Sequence, residues 1–195
     1  MSRSTSLERR HKLGAAHLIL RELVRNDLKT VTSWRAKREL ISCLAAPYRY
    51  IGPEVDDNWF DGYLSSRTTT VRCAVARADR SEQILGLATL AEIDWIARSC
   101  VFHVMVAPDS QGCGVGGFAL RGMLRHAFSD LGLNRVELTV LESNARARAL
   151  YEKAGFVLEG TLRAAAWKDG HYEDMHIMSV LRDEWKPSDI YREGR

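Results

Sequence analysis

Four glycines within six residues, placed between an apolar run and a helical pattern, constrain this chain more than any other stretch. The run Val101–Val106 is β-branched and apolar, and it is too short for a helix, so it is typical of a buried strand. A helix pattern follows over residues 120–131. Such a loop turns consecutive backbone N–H groups toward one point, and the helix N-terminus adds its positive dipole end. The sequence therefore predicts a site for a phosphate or pyrophosphate between this strand and helix. The glycines are Gly112, Gly114, Gly116 and Gly117.

Three kinds of phosphate-binding loop compete for this stretch. A Walker-type loop requires Lys-Ser or Lys-Thr after its last glycine, and this chain has neither there. The dinucleotide pattern G-x-G-x-x-G matches at Gly112, Gly114 and Gly117. However, Ala107–Gln111 separate that pattern from the strand that it should follow directly. The third pattern is Q-x-x-G-x-G, and it begins at Gln111.

Composition narrows the class of protein. The chain has 195 residues, of which 46% are hydrophobic and 27% charged, as in an ordinary globular domain. A net charge of +3 suits an anionic ligand but lacks the concentrated basic face of a nucleic-acid-binding protein. The four cysteines form no C-x-x-C pair, so we expect reduced thiols and no metal site. No membrane span or signal peptide is recognisable, and we predict a cytoplasmic protein.

The chain divides into a basic N-terminal tail (1–16), one domain (17–185) and a polar C-terminal tail (186–195). We expect the first twelve residues to be dispensable, because they carry no periodic apolar pattern. Within the domain, a strand–helix–strand unit predicts that the fourth and fifth strands are parallel. The fold class is α/β (α+β). The predicted strands are His17–Leu23, Val71–Arg77, Ile84–Ile93, Val101–Val106, Arg135–Val140, Phe156–Leu162 and Tyr172–Leu181. Two further helices are predicted to start after Asn26-Asp27 and at Asp56, and another after Asn144.

A second motif decides between the loop interpretations. The segment Ser143–Phe156 reads S-N-A-R-A-R-A-L-Y-E-K-A-G-F. Asn144 can cap a helix, Tyr151 lies seven residues on, and Gly155 ends the helix. Together with Q-x-x-G-x-G, this segment resembles the signature of the GNAT superfamily of N-acetyltransferases. The closest likeness is to the subgroup of ribosomal-protein N-terminal, spermidine and bacterial amino-acid acetyltransferases.

The resemblance implies a bent, mixed sheet of six or seven strands with about four helices. The fourth and fifth strands are expected to splay apart and to hold the pantetheine arm of acetyl-CoA, the co-substrate. The expected cofactor-binding residues are Val104, Met105 and Val106 of the fourth strand, Gln111, Gly112, Cys113, Gly114, Val115 and Gly116 of the loop, and Asn144 and Tyr151.

Tyr151 suits the role of general acid. A phenol of pKa about 10 is protonated at neutral pH and can donate to a thiolate leaving group. Tyr151 also lies on the apolar stripe of its helix, so simple packing is the alternative. A backbone N–H of Met105 or Val106 could stabilise charge on the carbonyl oxygen.

The general base is less defined. Relatives carry a carboxylate where this chain has Val101 and Thr139. His103 points to the same strand face as Val101, and its pKa suits a base. The weaker candidates are Glu137, Asp174 and His171. An amine that is partly neutral near pH 7.5 needs no side-chain base, since water can take the proton.

The acceptor-binding residues are predicted from the aromatic and charged side chains that precede the glycine loop. Aromatics with acids favour a cationic amine, whereas an arginine favours a carboxylate-bearing amino acid. We predict acetyl transfer to a small amine, either an amino acid or a polyamine. The alternatives are a protein or peptide N-terminus and a non-catalytic acetyl-CoA-binding module, and a homodimer is compatible with each. The residues are Trp34, Arg35, Trp59, Tyr63 and Glu92, with Phe60, Asp56, Asp57 and Asp94 nearby in sequence.

Overall fold

One seven-stranded sheet forms the centre of the computed structural model, which describes residues 17–187. The strands lie in the order β1-β2-β3-β4-β5-β7-β6, and the pairing is antiparallel except between β4 and β5. The expected mixed sheet is confirmed. The strands are β1 Leu18–Glu22, β2 Val71–Arg77, β3 Arg80–Asp94, β4 Ser99–Val106, β5 Arg135–Leu141, β6 Val157–Lys168 and β7 His171–Leu181.

Helices cover both faces of this sheet. Alternation along β2 shows the two faces, because Ala74 and Ala76 join the core cluster of the first three helices, whereas Val75 joins the cluster of the fourth. About four helices are expected from the sequence, and the described residues contain five; the additional one is a single short turn after the first helix. The helices are α1 Leu28–Arg35, α2 Arg38–Ile41, α3 Pro53–Ser65, α4 Val115–Arg125 and α5 Ala145–Lys153.

The sheet opens between β4 and β5. Parallel pairing joins only Ser99–Val101 to Arg135–Glu137, and the remaining residues of β4 pair with β3 alone. The splayed pair expected from the resemblance is therefore present. It leaves the second half of β4 with one unpaired edge in the middle of the sheet.

Several boundaries differ from the sequence-based expectations. Helix α3 begins at Pro53, not at Asp56, because proline without an N–H is well placed in a first helical turn. Asp56 is instead fully buried and paired with Arg35. The β2–β3 hairpin has a two-residue turn at Ala78-Asp79, so β3 starts earlier than Ile84.

The connection between α2 and α3 is held from two sides. Strand β6 extends to Lys168, which is 5% exposed and donates from its ammonium to the carbonyl oxygens of Ile41, at 3.1 Å, and Ala46. The side-chain amide of Asn144 donates to the carbonyl oxygen of Cys43 at 2.9 Å. Strand β6 and the cap of α5 are thus each hydrogen-bonded to the α2–α3 region on one face of the sheet.

The predicted N-terminal tail (1–16) and residues 188–195 of the predicted C-terminal tail (186–195) lie outside the described residues. The domain limits, a cytoplasmic location and a homodimer stay predictions. Over residues 17–187, the structure contains no helix with the length and hydropathy of a membrane span. The same residues contain no group of three or more His, Cys, Asp or Glu arranged to hold a metal ion.

Candidate active site

The glycine loop has the backbone geometry of an anion site. Gly112 has φ +80° and Gly114 has φ +85°, a left-handed conformation that side chains rarely adopt. Gly114 is also the N-cap of α4, and the next residue, Val115, is buried against the sheet. The first amides of α4 are thus presented at the loop with the positive end of the helix dipole.

Strand β4 presents unpaired backbone groups beside this loop. The amide of Ala107 donates to the carbonyl oxygen of Leu85 at 2.9 Å. In an antiparallel ladder this means that the backbone N–H and C=O groups of the odd-numbered residues of β4 point toward β3. The N–H and C=O groups of Val104 and Val106 consequently point into the gap toward β5. The amide of Met105 faces β3, so of the two expected donors only Val106 is placed to stabilise charge in the gap.

An arginine that the sequence analysis did not select lies at the loop. A Cβ built on Gly112 would come within 3.3 Å of Arg146 Nη2, so this guanidinium borders the loop. Its position two residues after the N-cap of α5 is the signal that could have identified it. Gln111 and Cys113 belong to the same loop, and Gln111 Nε2 lies 3.5 Å from the carbonyl oxygen of Val106.

Helix α5 carries the second motif against the loop. Asn144 caps the helix, because its Oδ1 accepts a hydrogen bond from the amide of Ala147 at 3.1 Å. Leu150 lies 3.5 Å from the position of a Cβ on Gly116, which brings α5 next to the start of α4. Its side-chain Nδ2 donates to the carbonyl oxygen of Cys43, so both ends of the Asn144 amide are bonded to protein.

Tyr151 lies in the apolar cluster against which Val104 and Val106 pack. It is 8% exposed, and its ring lies 5.8 Å from that of Phe156. Burial raises the pKa of the phenol to about 12. The hydroxyl is therefore protonated throughout the neutral range, as a general acid requires.

His103 lies on the opposite face of β4, solvent-exposed in spite of its central position. Register places Thr89 of β3 and then Arg72 of β2 beside it on that face. Partial desolvation lowers the pKa of His103 below its usual value, the charge of Glu92 opposes this shift, and that of Arg72 adds to it. The imidazole is thus neutral, with a free electron pair, at neutral pH.

The weaker base candidates are engaged in contacts elsewhere. Glu137 accepts from Arg135 at 3.0 Å, on the sheet surface. Asp174 accepts from the amide of Ala164 at 2.7 Å, inside the β6–β7 hairpin. His171 lies near that hairpin's turn, 3.3 Å from Glu173.

The predicted acceptor residues separate into two groups. Trp34 and Tyr63 are 5% and 3% exposed and belong to the core beneath the helices, and their role in acceptor binding stays a prediction. Trp59 is partly buried, and the guanidinium of Arg35 lies over its ring at 4.7 Å. Glu92 is exposed in an irregular part of β3, with φ +53°. The neighbours expected with them have structural roles: Phe60 is buried, Asp56 pairs with Arg35, Asp57 pairs with Arg25, and Asp94 accepts from the amides of Ile96 and Ala97.

Comparisons with known proteins agree with this geometry. The acetyltransferase (GNAT) domain family matches residues 17–157. A spermidine N(1)-acetyltransferase of Vibrio cholerae is 30% identical over 171 residues, which cover 87% of this chain and 96% of that protein. The crystal structure of spermidine N-acetyltransferase from Vibrio cholerae in complex with CoA and spermine matches with a TM-score of 0.80 at 29% identity, covering 86% of this chain and 96% of that one. An L-amino acid N-acetyltransferase of Escherichia coli is 38% identical over 87 residues, 44% of this chain and 54% of that protein.

Proposed function

This chain belongs to the GNAT family of acetyl-CoA-dependent N-acetyltransferases, and from that premise we propose that it acetylates the primary amine of a small molecule with Tyr151 as general acid. The observation that carries the proposal is the open edge of β4 beside the glycine loop. An extended acyl carrier can pair with the edge while its phosphates lie at the N-terminus of α4. Acetyl-CoA has both features.

The residues of this chain fit such a co-substrate. Backbone amides of the Gln111–Gly116 loop and the guanidinium of Arg146 would hold the pyrophosphate, because they combine N–H donors with positive charge. The N–H and C=O groups of Val104 and the N–H group of Val106, which point into the gap, would hold the pantetheine amides. Asn144 acts through α5, whose first turn it caps.

Tyr151 is proposed to donate the proton that the departing sulfur needs. The phenol is buried in the cluster that lines the gap, and it is protonated at all neutral pH values. The amide of Val106 can stabilise negative charge on the carbonyl oxygen during attack.

His103 is proposed to take the proton of the attacking amine. It projects from the face of β4 opposite the apolar cluster that contains Tyr151, so base and acid approach the gap from two sides. Its lowered pKa keeps the imidazole unprotonated where the enzyme would work. The residues also permit the water-assisted alternative, which a pH profile distinguishes.

The acceptor is proposed to be a polyamine-like amine or an amino acid. Relatives acting on each class match this chain, and the amino-acid enzyme shows the higher identity over a shorter stretch. A peptide N-terminus is the alternative acceptor. The exposed His103 face would accommodate either, so the acceptor panel must include both.

Two measurements test the proposed function: the release of CoA thiol during turnover and the binding of acetyl-CoA. We expect CoA release from acetyl-CoA with at least one amine of a panel of polyamines, amino acids and short peptides. Binding of acetyl-CoA is measured by calorimetry on the wild type, Gly114→Asp and Gly114→Asn. A Cβ at Gly114 has no atom within 4 Å, and both substitutes tolerate the left-handed backbone, so the pair differs mainly in charge.

Weaker binding in Gly114→Asp than in Gly114→Asn would support the pyrophosphate site. Equal affinity of the two variants would contradict that site. Tight binding without release of CoA from any amine would leave the non-catalytic module as the better description.

A further inference from the structure

Arg72 is a half-buried cation without a carboxylate partner among residues 17–187. Its Nη1 lies 3.5 Å from the carbonyl oxygen of Trp59, at the limit of a hydrogen bond. Its Nε is buried and has no hydrogen-bond partner within the described residues. A half-buried guanidinium with a buried, unbonded Nε is unusual, because charges removed from water are ordinarily paired.

A second arginine lies over the same aromatic ring. The guanidinium carbons of Arg72 and Arg35 lie 4.0 Å and 4.7 Å from the centroid of Trp59. Arg35 is neutralised by the buried carboxylate of Asp56, whereas Arg72 is not. Desolvation is the main cause that lowers the pKa of Arg72; the nearby Tyr63 opposes this shift, and the charge of Arg35 adds a smaller lowering. A bound anion would therefore relieve an existing electrostatic cost at this position.

The other acids around Arg72 do not fill that role. Glu22 accepts from Tyr63 and pairs with Arg67, both at 2.9 Å. Glu92 is exposed, and it acts on His103. The carboxylate of Glu92 thus lies near His103, while the guanidinium of Arg72, on β2, has no carboxylate partner among the described residues.

The position of Arg72 relates it to the predicted site of proton transfer. Arg72, Thr89 and His103 occupy one row across β2, β3 and β4, on the face from which the proposed base His103 projects. Strands lie about 4.8 Å apart, so the backbones of Arg72 and His103 are separated by about 10 Å. An arginine side chain spans much of that distance, and an amine that carries an acidic group can span the rest.

We propose that the acceptor of this enzyme carries a carboxylate in addition to its amine, and that Arg72 binds that carboxylate. This inference rests on the proposed acetyl transfer and assigns the acceptor class. The guanidinium can donate two parallel hydrogen bonds to a carboxylate, and Glu92 faces the ammonium end before the proton is lost. A polyamine would instead bring a second cation toward Arg72 and Arg35.

Matched acceptors test the acceptor class in the wild-type protein. Thiol release is measured with amino acids, their amides, a dipeptide and spermidine, under equal acetyl-CoA saturation. A free amino acid and a dipeptide place the carboxylate at different distances from the amine. Comparing their rates therefore shows whether the acceptor is a free amino acid or a peptide. We expect kcat/KM about 10- to 100-fold higher for a carboxylate than for its amide, the usual effect of a charge-assisted pair. Preference for spermidine, or equal rates for acid and amide, would overturn the inference.

Variants assign the effect to one side chain. Arg72→Gln should abolish the preference by raising KM for the acid toward that for the amide, whereas Arg72→Lys should retain part of it. Arg80→Gln, at the exposed start of β3, should behave as wild type. Undiminished preference in Arg72→Gln would show that another group binds the carboxylate. If Arg72→Gln fails to fold, the Lys variant and the wild-type acceptor series still decide.

A binding measurement separates this inference from the function on which it rests. Calorimetry of the CoA-saturated protein with an N-acetyl amino acid and with its amide needs no turnover. Stronger binding of the acid supports the carboxylate site. Absence of that difference overturns the inference, even where acetyl-CoA binds and another amine is acetylated. Failure of acetyl-CoA to bind at all would overturn the proposed function itself.

Discussion

At the scale of single residues, Tyr151 carries the proposed mechanism. Tyr151→Phe removes one hydroxyl and leaves the ring against Phe156, so the free energy of unfolding should change little. Turnover should fall about 10²- to 10⁴-fold, while the Kd for acetyl-CoA stays near the wild-type value. Steady-state kinetics and calorimetry measure the two quantities. Tyr50→Phe, at an 88% exposed position, serves as the control, and an unchanged kcat in Tyr151→Phe would reduce Tyr151 to packing.

His103 predicts a specific pH dependence. A base acts only above its pKa, and the pKa of His103 is lowered, so the acidic limb of kcat should lie below pH 6.5. The raised pKa of Tyr151 predicts that kcat shows no loss from phenol deprotonation below about pH 10, since that pKa is about 12. His103→Gln should remove the acidic limb and lower kcat about 10²-fold. Persistence of the same limb in the variant would favour transfer to water.

At the scale of elements, sequence patterns predicted regular segments better than their ends. Strand β2 was predicted at its observed limits, because Val71, Cys73 and Val75 alternate with their neighbours. The start of α3 was not, since the buried pair of Asp56 with Arg35 joins two helices and leaves no local signal.

In the candidate site, too, local features could be predicted from the sequence, whereas features that depend on tertiary packing could not. The glycine loop and the cap at Asn144 are local, and they were found from spacing. Burial of Trp34 and Tyr63 depends on the packing of α1 and α3 over the sheet, so aromatic spacing alone could not predict it. Arg72 was not selected, because its lack of a carboxylate partner depends on how distant segments pack in the fold and leaves no local pattern in the sequence.

Contact between β3, β4 and α4 gives a prediction at this scale. A Cβ on Gly86 would lie 3.0 Å from the carbonyl oxygen of Met105 and 3.4 Å from Val115, so Gly86→Ala must displace the strand that borders the gap. We expect a loss of about 1–3 kcal/mol in the free energy of unfolding and weaker acetyl-CoA binding.

Gly62→Ala is the matched control, because a Cβ there meets no atom within 4 Å in helix α3. It should stabilise the protein by about 0.5–1 kcal/mol. Denaturant unfolding measures both variants. If Gly86→Ala has the wild-type free energy of unfolding, β4 can shift to accommodate the Cβ without loss of stability.

At the scale of the whole molecule, Lys168 ties the β6–β7 hairpin to the helical layer. Lys168→Met keeps the length of the side chain but removes the donor of two carbonyl oxygens, those of Ile41 and Ala46. We expect a loss of about 1–3 kcal/mol in the free energy of unfolding, because at least one of these groups stays without a partner. Exposed Lys153→Met should change stability by less than about 0.5 kcal/mol. Equal stabilities for the two variants in urea would rule out a tie at Lys168.

The gap between β4 and β5 has a consequence for the life of the protein in the cell. The backbone ladder between β4 and β5 consists of three residue pairs among the described residues, so hydrogen exchange should reveal two parts of the sheet that open separately. A molecule bound in the gap would fuse them into one, and at 100 times its Kd it adds about 2.7 kcal/mol of stability. Slower exchange of the Val104 and Val106 amides would report that fusion. The half-life of the protein against proteolysis should then lengthen as the concentration of acetyl-CoA rises.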